Sequence, residues 1–89
     1  VIEHDAAASC ILARVEGGLA ECAYRLQGDV MNIVHTEVPP ASEGRGIAAA
    51  LVQAALAYAR AQGLRVRPSC SYVRSYMRRH PDTLDLLEH

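Results

Sequence analysis

Glu37-Val38-Pro39-Pro40-Ala41-Ser42-Glu43-Gly44-Arg45-Gly46-Ile47-Ala48-Ala49-Ala50-Leu51-Val52 reads as the end of a β-strand, a short turn and the first turns of a long helix. Pro39 and Pro40 have no N–H to give to a ladder, so the strand stops there. Gly44 and Gly46 leave the backbone bare where the helix begins. The first amides of a helix have no internal partner, and the macrodipole makes that end partly positive. An anion, above all a phosphate, can rest against such N–H groups when no side chain blocks it. Arg45 adds a permanent charge with a fork of donors. Two common phosphate loops are excluded. Ala49 stands where the third glycine of G-x-G-x-x-G belongs, and the chain has no Lys for a P-loop.

Downstream, Ile47, Leu51, Ala54, Ala55 and Tyr58 follow the spacing of one buried helical stripe. The helix is expected from Ser42 or Gly44 to Gln62, with Ser42 as N-cap and Gly63 in the left-handed position beyond its end. Leu64 to Pro68 alternates as a short strand. Strand, helix and strand make a βαβ unit, which requires those two strands to be parallel. Ser71 to His80 reads as a second helix with Val73, Tyr76 and Met77 inward, stopped at Pro81. Asp82 is the expected cap of a last turn carrying Leu84, Leu86 and Leu87.

Upstream, residues 8–15 and 19–26 form a predicted hairpin turning at Gly17-Gly18. That turn sets Arg14 opposite Glu21 on one face. The other face gathers Ile11, Ala13 and Val15 with Ala20, Cys22 and Tyr24. A second turn at Gly28-Asp29 sets Tyr24 opposite Ile33 and Cys22 opposite His35, extending the apolar face to His35. The expected fold is therefore α/β. An antiparallel three-stranded meander leads into a long helix after a glycine loop, a parallel fourth strand and a C-terminal helix, all in one domain over residues 1–89.

Composition narrows the function classes. The net charge is −1 and all nine basic residues are Arg, so no global field favours nucleic acid or an acidic membrane. No apolar run approaches the roughly 18 residues that span a bilayer, and no secretory segment is present. A soluble, cytoplasmic protein with reduced thiols is expected. Cys10, Cys22 and Cys70 lack metal-ligand spacing, and no metal is expected. Phe and Trp are absent, so Tyr24, Tyr58, Tyr72 and Tyr76 carry the aromatic packing. Val1 is not an initiator residue, and Leu87-Glu88-His89 is similar to the start of an affinity tag. No role is read for His4 or His89.

Cys70 follows the fourth strand at the C-terminal edge of the sheet, where open α/β sheets bind ligands. The third strand ends at the same edge, so His35 is expected to approach Cys70. An imidazole and two nearby helix N-termini would favour the thiolate, which is the recipe for an activated sulfur nucleophile. Tyr76 on an amphipathic helix reads as core, and His80 as a helix-end residue. Arg74, Arg78 and Arg79 form a basic helix face.

The glycine stretch resembles the pyrophosphate loop R/Q-x-x-G-x-G/A of the GNAT superfamily of N-acetyltransferases. Gly46 and Ala48 fit that pattern, and Glu43 departs from it at the Arg/Gln position. His35-Thr36-Glu37-Val38-Pro39, Gly44-Arg45-Gly46-Ile47, Pro68-Ser69-Cys70, Tyr76 and His80-Pro81 follow in order. Together they resemble a small, single-domain GNAT-like family related to a minimal plant acetyltransferase. The resemblance implies acetyl-CoA as cosubstrate and an unidentified amine as acceptor. It implies that Gly44, Arg45, Gly46, Ile47 and Ala48 hold the pyrophosphate and that the Val38 edge pairs with the pantetheine arm. Cys70 would be nucleophile or acid/base, with His35 as its base or orienter. The alternative is a module of the same fold that binds or senses acyl-CoA without turnover. A nucleic-acid adaptor using Arg74, Arg78 and Arg79 is opposed by the near-neutral charge. Oligomeric state is not legible.

Overall fold

In the computed structural model, which describes residues 1–88, four antiparallel strands precede the glycine loop and one parallel strand follows it. They are β1 (Ile2–Asp5), β2 (Cys10–Val15), β3 (Gly18–Gln27), β4 (Val30–Glu37) and β5 (Arg65–Pro68). The sheet order is the chain order, with β4 and β5 the parallel pair. Helix α1 (Ile47–Ala61) makes the crossover between them, and α2 (Ser71–Arg79) follows β5. The α/β class and the βαβ unit are as expected. His89, to which the sequence assigns no role, lies outside the described residues.

β1 is an addition to the expected meander. All four of its residues are exposed, so they carry no burial pattern to announce a strand. It pairs with β2 over all four residues, and His4, for which the sequence suggests no role, adds a side-chain tie. The His4 Nε2 meets the Tyr24 hydroxyl, and its ring stands edge-on to Tyr58 at 4.4 Å.

The β2–β3 turn sits one residue earlier than expected. Arg14 lies opposite Leu19 and Val15 opposite Gly18, so Glu16 and Gly17 turn the chain. Gly17 has φ 92°, and a Cβ there would come within 3.1 Å of Pro39 Cβ and 3.2 Å of Ala41 Cβ. The loop after β4 packs onto this turn, and only glycine admits it. Arg14 meets Glu3 at 3.5 Å instead of Glu21. Moving the turn by one residue moves partners by two and leaves the faces unchanged. Ile11, Ala13, Ala20, Cys22 and Tyr24 are accordingly all buried.

The β3–β4 ladder departs further. Tyr24 pairs with Ile33 as expected, but Ala23 pairs with His35 and Cys22 with Thr36. Val34 is the extra residue of a β-bulge, and past a bulge the alternation of faces inverts. Thr36, not His35, therefore turns to the core face.

Both helices cover one face of the sheet. Leu51, Val52, Ala55, Leu56 and Ala59 of α1 and Val73, Tyr76 and Met77 of α2 join Ile11, Met31, Ile33 and Val66 in a single cluster. Fully burying a side chain of the Val, Leu or Ile type contributes about 1.5–3 kcal/mol. Ile47, Ala54 and Tyr58 pack at its margin. The last turn is a 3₁₀ segment, Pro81–Leu86, with no side-chain cap, so Asp82 does not cap it. Leu86 is buried and Leu87 bridges to Val66, while Leu84 stays exposed. Arg60 clamps this segment with a two-pronged contact to Asp85, at 2.9 and 3.0 Å. No helix among the described residues is long and apolar enough to cross a membrane.

Candidate functional site

A cleft of about 420 Å³ opens where β4 ends and α1 begins. Thr36 and Val38 form one wall, Ser42 to Ala49 (without Arg45) the floor, and Tyr72 of α2 the far side. Its shape follows from three local features of the quoted stretch.

The first is the loop itself. Pro40–Ser42 is a 3₁₀ turn rather than the start of the helix. Ser42 is 1 % exposed, and its hydroxyl donates to the Glu16 carbonyl at 2.7 Å. It ties the loop to the β2–β3 turn and is not the N-cap.

The second is the glycine pair. Gly44 and Gly46 have φ 80° and 75°, the left-handed region that side chains disfavour. Gly46 is the N-cap of α1, and a Cβ there would meet nothing within 4 Å. No side chain caps the helix, and its first backbone bond runs from the Ala50 N–H to the Gly46 carbonyl at 3.1 Å. The N–H groups of Ile47, Ala48 and Ala49 thus find no acceptor among the described residues. All three residues line the cleft. Unpartnered amides at the positive end of a 15-residue helix are a ready anion site.

The third is the parting of β4 and β5. Their ladder ends at Ile33 opposite Pro68, and the Cys70 N–H closes it by donating to the Ile33 carbonyl at 3.0 Å. β4 continues to Glu37 with that edge open, ready to accept an extended ligand as an added strand. The Ser69 hydroxyl bonds Asn32 Oδ1 at 2.7 Å, and Arg74 donates to the Pro68 and Ser69 carbonyls at 3.0 and 2.9 Å. Arg74 is thereby committed to the turn that presents Cys70.

Cys70 is half-buried at the N-cap of α2, flanked by the cleft residues Thr36 and Tyr72. Its S–H donates to Thr36 Oγ1 at 3.7 Å. Burial pushes this thiol up. The N–H of Val73, the Thr36 hydroxyl and the N–H groups of Tyr72 and Thr36 favour the thiolate more strongly, so it lies below its ordinary value. Cys10 and Cys22 go the other way, Cys22 to about 11, because burial dominates there.

His35 is not beside Cys70. The bulge carries it to the open face of the sheet, where its Nε2 lies 3.0 Å from Glu37 Oε1 and its side chain is 53 % exposed. Glu21 joins them, and one polar atom from each of the three lies within 4.8 Å of the others on that water-facing side. The expected thiol–imidazole pair is replaced by a thiol–hydroxyl pair. Arg45 is also turned aside, 3.5 Å from Glu16 and absent from the cleft wall, whereas Glu43 lines it. Tyr76 is packing, as its sequence context indicates: it is buried and stacks on His80 at 4.0 Å.

Thr36 and Tyr72 flank Cys70 without being expected there. Nothing in the local alternation marks Thr36 as inward. Tyr72 lies two residues past Cys70 in the first turn of α2, and that position is its only signal in the sequence.

The model of the family described as GCN5-related N-acetyl-transferase matches residues 10–86. Protein NATD1 of Gallus gallus is 34 % identical over 83 residues, which cover 90 % of this chain and 76 % of that protein. Protein NATD1 of Homo sapiens shows the same identity over 74 % of its length. The solution structure of a GCN5-like putative N-acetyltransferase from Staphylococcus aureus superposes with a TM-score of 0.72 at 25 % identity, covering all of this chain and 91 % of that one. With its glycine loop, open helix amides and parting strands inside the matched span, the chain belongs to the GCN5-related N-acetyltransferase family.

Proposed function

We propose that this protein binds acetyl-CoA in the cleft and transfers the acetyl group to an amine, with Cys70 as the reactive thiol. The observation that carries the reading is the set of open amides at Ile47, Ala48 and Ala49, above a loop whose glycines add no side chain. These donors fit a pyrophosphate, which Gly44, Gly46, Ile47 and Ala48 would hold through their backbone. Arg45 would contribute only by leaving Glu16, and a 3.5 Å contact between two exposed side chains is weak enough to allow that. The open edge of β4 at Val38 would receive the pantetheine arm by main-chain pairing. Bound coenzyme would supply an acetyl group activated as a thioester.

Cys70 Sγ, as thiolate, would form a bond to the acetyl carbon while the bond to the coenzyme sulfur breaks. The acceptor amine would then take the acetyl group and free the thiol. A small amine, a protein N-terminus and a lysine side chain are all compatible acceptors. One fact favours a second reading, binding without turnover: His35, the expected base for Cys70, lies with Glu37 on the open face.

Intact-mass measurement after incubation with acetyl-CoA separates them. Gain of one acetyl group on Cys70, lost on addition of an amine, supports transfer. Cys70→Ser should keep coenzyme-induced stabilisation and lose the adduct. Stabilisation with no adduct and no released CoA would leave the binding module standing.

A further inference from the structure

The bulge that turns His35 outward puts a hydroxyl in its place, between two sulfurs. Thr36 Oγ1 lies 3.7 Å from Cys70 Sγ and 3.9 Å from Cys22 Sγ. Cys22 on β3 is fully buried, and Cys70 is half-buried beside the cleft. A threonine hydroxyl has a single proton, so it can donate to only one of them at a time. With both thiols neutral, Cys70 S–H donates to Thr36 Oγ1 and Thr36 O–H donates to Cys22 Sγ.

Ionisation of Cys70 reverses what each atom must do. A thiolate only accepts, so the Thr36 O–H has to turn to Cys70 Sγ. The Cys22 S–H can then turn to Thr36 Oγ1 and replace what the hydroxyl gave up. Only two rotations are needed, and the only proton that leaves is the one Cys70 releases to solvent or to a base. Cys22 is suited to the end of such a chain because burial keeps it protonated across the range in which Cys70 titrates.

We propose that Thr36, backed by Cys22, is a positioning residue that holds Cys70 ready as a thiolate through a hydroxyl bridge that reverses direction when Cys70 ionises. The proposal rests on the reading of Cys70 as a reactive thiol. The charged groups nearby are otherwise engaged. On β4, His35 and Glu37 meet each other on the opposite face, and on α2 Arg74 is held by the carbonyls of Pro68 and Ser69. Tyr72 of α2 and Glu43 of the loop are the titratable groups of the cleft wall. What lowers the thiol is a set of hydrogen-bond donors, with the Thr36 hydroxyl the only side chain among them.

The test is the rate of iodoacetamide modification of Cys70 in the folded protein, followed by peptide mass from about pH 6 to 10, a range that brackets a free thiol. Wild type is compared with Thr36→Val, Thr36→Ser and Cys22→Ala. Wild type should show a midpoint below about 8.5. Thr36→Val should raise it by about one pH unit, roughly a tenfold loss of rate on the rising limb. Thr36→Ser should restore it, and Cys22→Ala should move it by a smaller amount, because the neutral and ionised arrangements lose unequal bonds to Cys22. A Thr36→Val midpoint equal to wild type overturns the bridge and leaves the reading of Cys70 intact. So does a Thr36→Ser midpoint as high as that of Thr36→Val, because packing would then be the cause. If Thr36→Val does not fold, Cys22→Ala tests the bridge from its other end, and an unmoved midpoint there overturns it. A wild-type midpoint at or above the free-thiol value overturns the reading of Cys70 and the bridge with it.

Discussion

Replacing Gly46 by valine places a branched side chain at φ 75° in space where no atom lies within 4 Å. Two costs follow, and they separate cleanly. Backbone strain in the left-handed region is about 1–3 kcal/mol for such a residue. Each kcal/mol lowers Tm by roughly 4–8 °C in a domain of this size. The second cost is felt only with ligand, because Gly46 lines the same cleft as Ile47 to Ala49 and a side chain there takes up space a pyrophosphate would need. A ligand at 100 times its dissociation constant adds about 2.7 kcal/mol, or roughly 10–20 °C in Tm. Strain is present with and without coenzyme, so it cancels from that increment. Gly28→Val is the matched control. Gly28 has φ 63° and equally open surroundings, but it lies in the β3–β4 turn and outside the cleft. Thermal denaturation with and without CoA should show both variants destabilised and only Gly46→Val losing most of the increment. A full increment in Gly46→Val refutes the placement of the pyrophosphate on the α1 amides. An equal loss in Gly28→Val would show that the increment follows general stability instead.

Glu43→Gln should lower the dissociation constant for CoA about two- to five-fold at low salt, with the gain fading as salt screens it; an unchanged titration would show that the carboxylate does not oppose the pyrophosphate. His35→Ala should leave the pH profile of Cys70 alkylation where it is, because the imidazole faces Glu37 on the open side; an upward shift would restore it as a partner of the thiol. Ser42→Ala removes the tie between the glycine loop and the Glu16 carbonyl and should cost about 1 kcal/mol, read as a loss of roughly 4–8 °C in Tm; no loss would mean that the tie contributes nothing.

The parts of the fold that rest on strong local signals were legible. The proline pair ended β4, the helical stripe gave α1, and the βαβ argument fixed the parallel pair. What the residues did not announce is set by long-range packing. Gly17 and Gly18 are equivalent turn residues until the loop carrying Pro39 and Ala41 selects between them. A single extra residue at Val34 has no signature in an apolar strand, yet it decides which of His35 and Thr36 faces Cys70. Ser42 satisfies the usual cap signal, but a 3₁₀ turn and a buried bond to Glu16 claim it first. β1 shows no alternation because none of it is buried; beyond its ladder to β2, its side-chain ties are Glu3 to Arg14 and one histidine among tyrosines.

The central claim is that the open amides of α1 are where the coenzyme sits, and amide chemical shifts read it directly. In a ¹⁵N-labelled sample titrated with CoA, the largest saturable changes should fall on Gly46, Ile47, Ala48 and Ala49, with smaller ones at Thr36, Val38 and Tyr72. Inorganic pyrophosphate should reproduce the first group at higher concentration and leave Thr36 and Tyr72 unmoved. Changes centred instead on Gln53, Arg60 and His80, which line the hollow between α1 and the C-terminal turn, or no saturable change in the glycine loop, would contradict the account.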